Sequence, residues 1–301
     1  MPPQGHTITL SDKRHGLPFS KGLLAQSFTA TGLAPSRAYE VAQAIQDGLR
    51  ERNELAISMH RLKELAIECL TEMAGSDYAD RYARMAELGK LDTPVIVLIG
   101  GTTGVGKSTI ASEVAHRLGI TRFVSTDSIR EVMRGIFTKE LMPALHESAF
   151  DAWRSLRVPV PHGANPVIVG FREQAAVVAT GVKALIERST KEGVSLVIEG
   201  VHLVPGYIEP QDFPGARVVQ LLISVEDEDA HRSHFYIREV QTDGLRPFER
   251  YRTNFDSIRM LGLYIDELAR EHGIPVIYSH QLDRTVADTL EHVVNAVLGD
   301  K

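Results

Sequence analysis

Cysteine is nearly missing from this chain: Cys69 stands alone in 301 residues. An intrachain disulfide and a cysteine-rich metal centre are therefore excluded. Flanked by Leu65, Ala66, Ile67 and Leu70, Cys69 reads as a buried helix residue rather than a nucleophile. Long apolar runs are absent as well. None approaches the about 18 residues of a membrane span, and the amino terminus carries no apolar signal-peptide core. Positive charge is not in excess: 33 Lys and Arg against 39 Asp and Glu leave a net −6. No overall attraction to nucleic acid follows, although a local basic patch can still hold a small anion. Internal repeats and low-complexity tracts are missing too. These absences give the expectation of a soluble, cytoplasmic protein with no nucleic-acid and no membrane partner. The length and a 43 % hydrophobic content suit two domains or one large one.

What is present is most informative at residues 94–109, where an apolar run feeds into Gly-Gly-Thr-Thr-Gly-Val-Gly-Lys-Ser-Thr. Gly101, Gly106, Lys107 and Ser108 occupy the defining places of G-x-x-x-x-G-K-S. Small residues let successive backbone N–H groups turn inward around a polyanion. The lysine adds a mobile positive charge toward the β- and γ-phosphates, and the serine hydroxyl can ligate Mg²⁺. Val95 to Ile99 predicts a strand buried on both faces. Ser108 to Leu118 predicts a helix with Ile110, Val114 and Leu118 on one stripe, its amino terminus facing the phosphates. Gly101, Thr102, Thr103, Gly104, Val105, Gly106, Lys107, Ser108 and Thr109 are thus expected to bind a nucleoside triphosphate.

From Pro94 onward, predicted strands alternate with helices. Strands are expected at 122–126, 195–199, 217–225 and 275–279, and helices at 128–136, 171–192 and 284–298, with residues 159–166 a loop. Alternation of this kind builds an α/β fold, a parallel sheet with helices on both faces and ligands at the carboxyl ends of the strands. Residues 1–90 differ: a short strand at 8–10, a turn at 11–16, then helices after Pro18 and over 35–52 and 58–73, the last with Met59, Leu62, Leu65, Ala66 and Leu70 on one face. Gly75 to Thr93 reads as a connector with its own helical period.

Three further groups fall at strand ends. Asp127 closes the second strand, with Arg130 and Arg134 at +3 and +7 on one side of the following helix. A carboxylate there can accept a proton from an acceptor hydroxyl, and arginines beside it can clamp the acceptor's anionic groups. Asp127 as a helix N-cap is the plainer alternative. Glu199 ends a continuous apolar strand, where an acidic residue can hold Mg²⁺ through water. His202 follows, open to a structural role or to substrate contact. Last, Arg232, Arg238, Arg246, Arg250, Arg252 and Arg259 crowd into one segment with His231 and His234. Such a segment can close as a lid whose arginines stabilise a transferring phosphoryl group, though interspersed acids make some of them solvated helix-face residues. His231-x-x-His234 lacks the further ligands of a zinc site.

Two resemblances follow. Lys13, Arg14, Gly16, Pro18, Phe19, Ser20 and Lys21, with the helices to residue 73, resemble the ATP-cone, a small regulatory nucleotide-binding module; a domain that only packs or dimerises remains the alternative. The segments 100–110, Thr126–Arg134, Leu145–Trp153, Glu199–Gly206 and Arg250–Arg259 are similar to the 2-phosphoglycerate kinase family. The chain departs from that pattern at Thr102-Thr103, where Ala-Ser is expected, and at residues 142–146, where a more polar segment is expected beside the acceptor. The resemblance implies an ATP-cone-like domain over 1–90 and a P-loop kinase domain over 91–301. It also implies ATP and Mg²⁺ as cofactors and a small phosphorylated acid as substrate; a homo-oligomer stays open. Lys107, Asp127 and Arg130 would be catalytic, and Ser108 with Glu199 would hold the metal. Asp127, Arg130, Arg134, His202, Arg238 and Arg246 would meet the acceptor. The rival expectations are another polyanionic acceptor, such as an inositol phosphate, or a nucleotide-sensing regulator without turnover.

Overall fold

The computed structural model describes residues 8–10, 17–89, 91–241 and 248–299. They form two compact units that part between Leu91 and Asp92, except that His116–Leu118 group with the first.

The first unit begins with β1 (Thr9–Leu10), β2 (Leu17–Pro18), α1 (Lys21–Thr29) and α2 (Pro35–Glu51), then β3 (Ala56–Ile57), α3 (Met59–Met73) and α4 (Ser76–Leu88). β1 pairs antiparallel with β2 and parallel with β3, a strand that two residues of sequence could not announce. Ser20 and Ser58 cap α1 and α3 by accepting from the amides of Leu23 and Arg61, and Pro35 opens α2, where its missing N–H costs nothing. Phe28, Val41, Leu49, Ile57 and Leu70 form the core. Met59 is half exposed and leaves the stripe assigned to α3. Residues 75–93 are more than a connector: α4 adds Ala79, Tyr78 and Tyr82 to this core, with Tyr82 edge-on to Phe28 at 5.3 Å. Its apolar period was the signal of a packed face. The turn expected at 11–16, with Lys13, Arg14 and Gly16, lies outside the described residues.

The second unit contains β4 (Val95–Gly100), α5 (Lys107–Arg117), β5 (Arg122–Ser125) and α6 (Thr126–Ile136), then α7 (Pro166–Glu192), β6 (Leu196–Glu199) and β7 (Arg217–Ser224). α8 (Glu228–Gln241), α9 (Phe248–Thr253), α10 (Phe255–Glu271), β8 (Val276–Tyr278) and α11 (Leu282–Leu298) complete it. Five parallel strands run in the order β5-β6-β4-β7-β8. β4 and β6 are buried along their whole length, as continuous apolar runs require. Ile96, Leu98, Leu196 and Ile198 pack with Ile129 of α6 and with Val178 and Val182 of α7. Leu222 of β7 packs with Ile258, Leu261 and Ile265 of α10. α7 starts five residues earlier than its sequence period suggested. Asn165 caps it by accepting from the Val167 amide, and Pro166 opens its first turn, so the β-branched Val167-Ile168-Val169 is helical. At Gly170 the helix passes so close to the backbone of Ala152 and Trp153 that a side chain would collide with it. No helix among the described residues is long and apolar enough to cross a membrane.

Candidate functional site

The loop between β4 and α5 turns over the carboxyl edge of the sheet. Gly101 sits at φ +128 against the Ile223 backbone, where a side chain would strike the Ile223 carbonyl. Lys107 opens α5, and its buried Nζ donates to the Thr102 carbonyl at 2.6 Å. Burial pushes the pKa of this ammonium down, and the negative charges of Glu199 and Asp127 oppose that shift. A carboxylate at the end of β6 and one in the first turn of α6 are therefore felt at the lysine. Thr102 Oγ1 donates to the Ile258 carbonyl at 3.1 Å and pins the loop to α10. Gly106, Ser108 and Thr109 remain exposed, whereas Val105 points into the core.

Ser108 Oγ donates to Glu199 Oε1 at 3.0 Å. The register of the sheet, with Glu199 opposite both Ile99 and Ser125, brings the pair together. A hydroxyl and one carboxylate beside a phosphate cradle suit Mg²⁺, which keeps several waters and completes its shell with phosphate oxygens. Among the described residues no cluster of three or more His, Cys, Asp or Glu could hold an ion without such help.

At the end of β5, Ser125 rather than Asp127 is the N-cap of α6, accepting from the Ser128 amide at 3.1 Å. Asp127 stands in the first turn, where the helix dipole favours a carboxylate, with 65 % of its side chain exposed and Oδ1 3.6 Å from Arg130 Nε. It is available to a ligand. Arg130 is less so: its NH1 donates to the carbonyls of Leu145 at 2.9 Å and Glu147 at 3.1 Å. Arg134 NH1 meets Glu131 at 2.7 Å, while its Nε is buried without a hydrogen-bond partner.

His202 is not open to solvent. It is fully buried, with Nδ1 2.8 Å from Thr126 Oγ1 and Nε2 3.0 Å from Gln174 Oε1. The Gln174 amide nitrogen donates to the carbonyls of Ala144 and Glu147, so its oxygen must accept and His202 Nε2 must carry the proton. Thr126 then donates to the bare Nδ1. Burial lowers the His202 pKa to about 4. Both nitrogens being engaged, the expectation of substrate contact is replaced by one of support: His202 and Gln174 tie α6 to the segment 144–147.

The arginine-rich segment separates into roles. Arg232 pairs with Glu228 and Asp229, and Arg252 with Glu249, along their own helices. Arg259 donates to the carbonyls of Val225 and Glu226 beyond the end of β7. Arg250 reaches from α9 to Ser148 Oγ at 2.6 Å. Arg246 and the side chain of Arg238 lie outside the described residues. Sequence reading missed Gln174, whose signal was a polar residue on the buried stripe of α7 between Phe171 and Val178. It also missed what His231 and His234 do: they meet the carbonyls of Thr103 at 2.8 Å and Gly104 at 2.9 Å. A cavity of about 270 Å³ adjoins Thr102 and is lined by Ser224, Arg259, Asp266 and Tyr278 among others.

No protein-family model matches the chain. A 2-phosphoglycerate kinase from Methanopyrus kandleri is 40% identical over 291 residues, 97% of this chain and 88% of the relative. The 2-phosphoglycerate kinase of Methanothermobacter thermautotrophicus is 40% identical over 289 residues, 96% and 94% of the two chains. Among solved structures, a shikimate kinase from Acinetobacter baumannii gives a TM-score of 0.41 at 18% identity, covering 71% of this chain and 98% of its own.

Proposed function

The chain belongs to the 2-phosphoglycerate kinase family, and from that premise we propose that it transfers the γ-phosphoryl group of ATP to the free hydroxyl of 2-phosphoglycerate, giving 2,3-bisphosphoglycerate. The 40% identity over 97% of the chain carries the activity. The contact of Ser108 Oγ with Glu199 Oε1 beneath the glycine loop supports its location.

Lys107 is held in reserve on the Thr102 carbonyl. A triphosphate offers it a stronger acceptor, so the ammonium exchanges that carbonyl for the β- and γ-phosphates and follows the charge that develops on the leaving oxygen. The amides of residues 101–109 and the amino end of α5 hold the rest of the polyanion, and we assign the nucleoside to the cavity beside Thr102. Mg²⁺ held by Ser108, with Glu199 orienting its water, would neutralise charge on the donor phosphates. Asp127, exposed at the start of α6, orients the acceptor hydroxyl and takes its proton. The guanidinium end of Arg134, now on Glu131, and the remaining face of Arg130 bind the acceptor's phosphate and carboxylate. The carbonyls of 144, 145 and 147, fixed by Gln174 and Arg130, set the wall of that pocket. The test is ADP release from ATP in a coupled assay across a panel of phosphorylated acids. Release that depends on 2-phosphoglycerate is the expected result; release with another acid alone, or none, overturns the assignment.

A further inference from the structure

A loop that points its amides at phosphates must dispose of its carbonyls, because each residue carries one of each and a carbonyl aimed inward repels the anion. Here three successive carbonyls are each taken by a side-chain donor. Lys107 Nζ holds Thr102 at 2.6 Å, His231 Nε2 holds Thr103 at 2.8 Å and His234 Nδ1 holds Gly104 at 2.9 Å. The lysine bond has to open when the lysine turns to the phosphates. The histidine bonds do not.

Both histidines lie on α8 at i and i+3, which places them on one face of that helix. The ring of His231 is fully buried, stacked on Phe235 at 5.3 Å and edge-on to Phe255 at 5.4 Å. Its Nε2 must bear the hydrogen that the carbonyl accepts, which leaves Nδ1 as a bare acceptor, and Nδ1 is buried with no hydrogen-bond partner. Leaving a buried acceptor unpaired is unfavourable, and an apolar ring would fill the same space without that cost. What distinguishes histidine here is the donor it offers to Thr103. Gly104 completes the fit: a side chain there would run into the Phe235 ring.

We propose that His231 and His234 are positioning residues for the donor triphosphate, a His-x-x-His clamp that keeps the Thr103 and Gly104 carbonyls turned away from the phosphates and their amides turned toward them. The same helix carries the clamp toward the acceptor side. Phe235 stacks on Tyr251 of α9 at 4.8 Å, Tyr251 meets Phe150 at 6.2 Å, and Arg250 bonds Ser148. The loop that holds the donor and the segment that follows residue 147 thus share one frame.

The proposal rests on the kinase reading but is tested at the nucleotide. ATP affinity is measured by calorimetry without acceptor, and KM for ATP and for 2-phosphoglycerate by coupled assay. His234 is half-buried, so His234→Ala leaves the aromatic cluster in place, and His234→Asn returns a donor near the Nδ1 position. His231→Phe and His231→Gln form the matching pair at the buried site, with thermal unfolding of each variant recorded alongside. The loss of one loop hydrogen bond should weaken ATP binding and raise KM for ATP about three- to tenfold in His234→Ala and His231→Phe. KM for 2-phosphoglycerate should move far less, and Asn or Gln should restore most of the loss. ATP binding unchanged in His234→Ala, or Gln and Asn variants as weak as Phe and Ala, would overturn the clamp. If wild-type protein binds ATP but ignores 2-phosphoglycerate, the acceptor assignment fails and the calorimetric comparison still decides the clamp.

Discussion

At the scale of single residues, the proposed mechanism separates groups that bind from groups that react. Lys107 is buried, poised on a carbonyl and flanked by Glu199 and Asp127. In the proposed mechanism its contact with the donor strengthens as charge builds on the leaving oxygen, so Lys107→Ala should lower kcat by roughly 100-fold or more. Turnover near wild type in that variant would remove the lysine from the mechanism. Asp127 and Arg134 should divide differently. Asp127→Asn keeps shape and loses the proton acceptor, so kcat falls while calorimetric ATP affinity holds. Arg134→Ala removes a donor set from the acceptor side, so KM for 2-phosphoglycerate rises more than KM for ATP. Should both changes act only on ATP affinity, α6 belongs to the nucleotide side.

At the scale of elements, the strand–loop–helix of residues 95–117 was legible because its chemistry is local. Glycine spacing, an apolar run and one lysine lie within a few residues. The placement of Glu199 beside Ser108 was legible because an acid at the end of an all-apolar strand stands out from its surroundings. His231 and His234 were not. Their partners stand 128 and 130 residues away and are backbone carbonyls, which every residue possesses and no sequence pattern marks. Arg130 was legible only in part for the same reason: a cation beside a carboxylate reads as an anion clamp, and nothing in the sequence announces that its NH1 also serves two carbonyls. The buried link from α6 through His202 to α7 has a consequence of its own. The His202 pKa is lowered by burial from 6.5 to about 4, with Asp127 raising it and Arg130 and Lys107 lowering it. Between those values the unfolded chain takes up a proton that the folded chain refuses, so stability falls as pH drops from about 6.5 toward about 4. Urea midpoints at pH 7.5 and 5 should show this, and the drop should be smaller in His202→Gln. An equal drop in that variant would place the acid sensitivity elsewhere.

At the scale of the whole molecule, two units with separate cores raise the question of what the first one adds to a kinase. Its small sheet and four helices close around Phe28, Leu49 and Leu70, so it has the packing of an independent body. We propose that it is a regulatory nucleotide module of the ATP-cone kind. Lys21, which its sequence motif supplies for phosphates, lies over the Tyr39 ring at 4.2 Å and bonds Gln43 Oε1 at 2.5 Å. A ligand phosphate would have to draw the ammonium away from both, as the donor does with Lys107. Coupling between two such sites is typically worth ~1–3 kcal/mol, so adenine nucleotide should change activity several-fold rather than switch it on or off. Calorimetry on the full chain and on a chain beginning at Leu91 measures the stoichiometry. Two nucleotides falling to one upon truncation is the expected result. One nucleotide in both, with the same kinetics, would leave the first unit a purely structural role, because a fold of this kind can keep its core after losing its ligand.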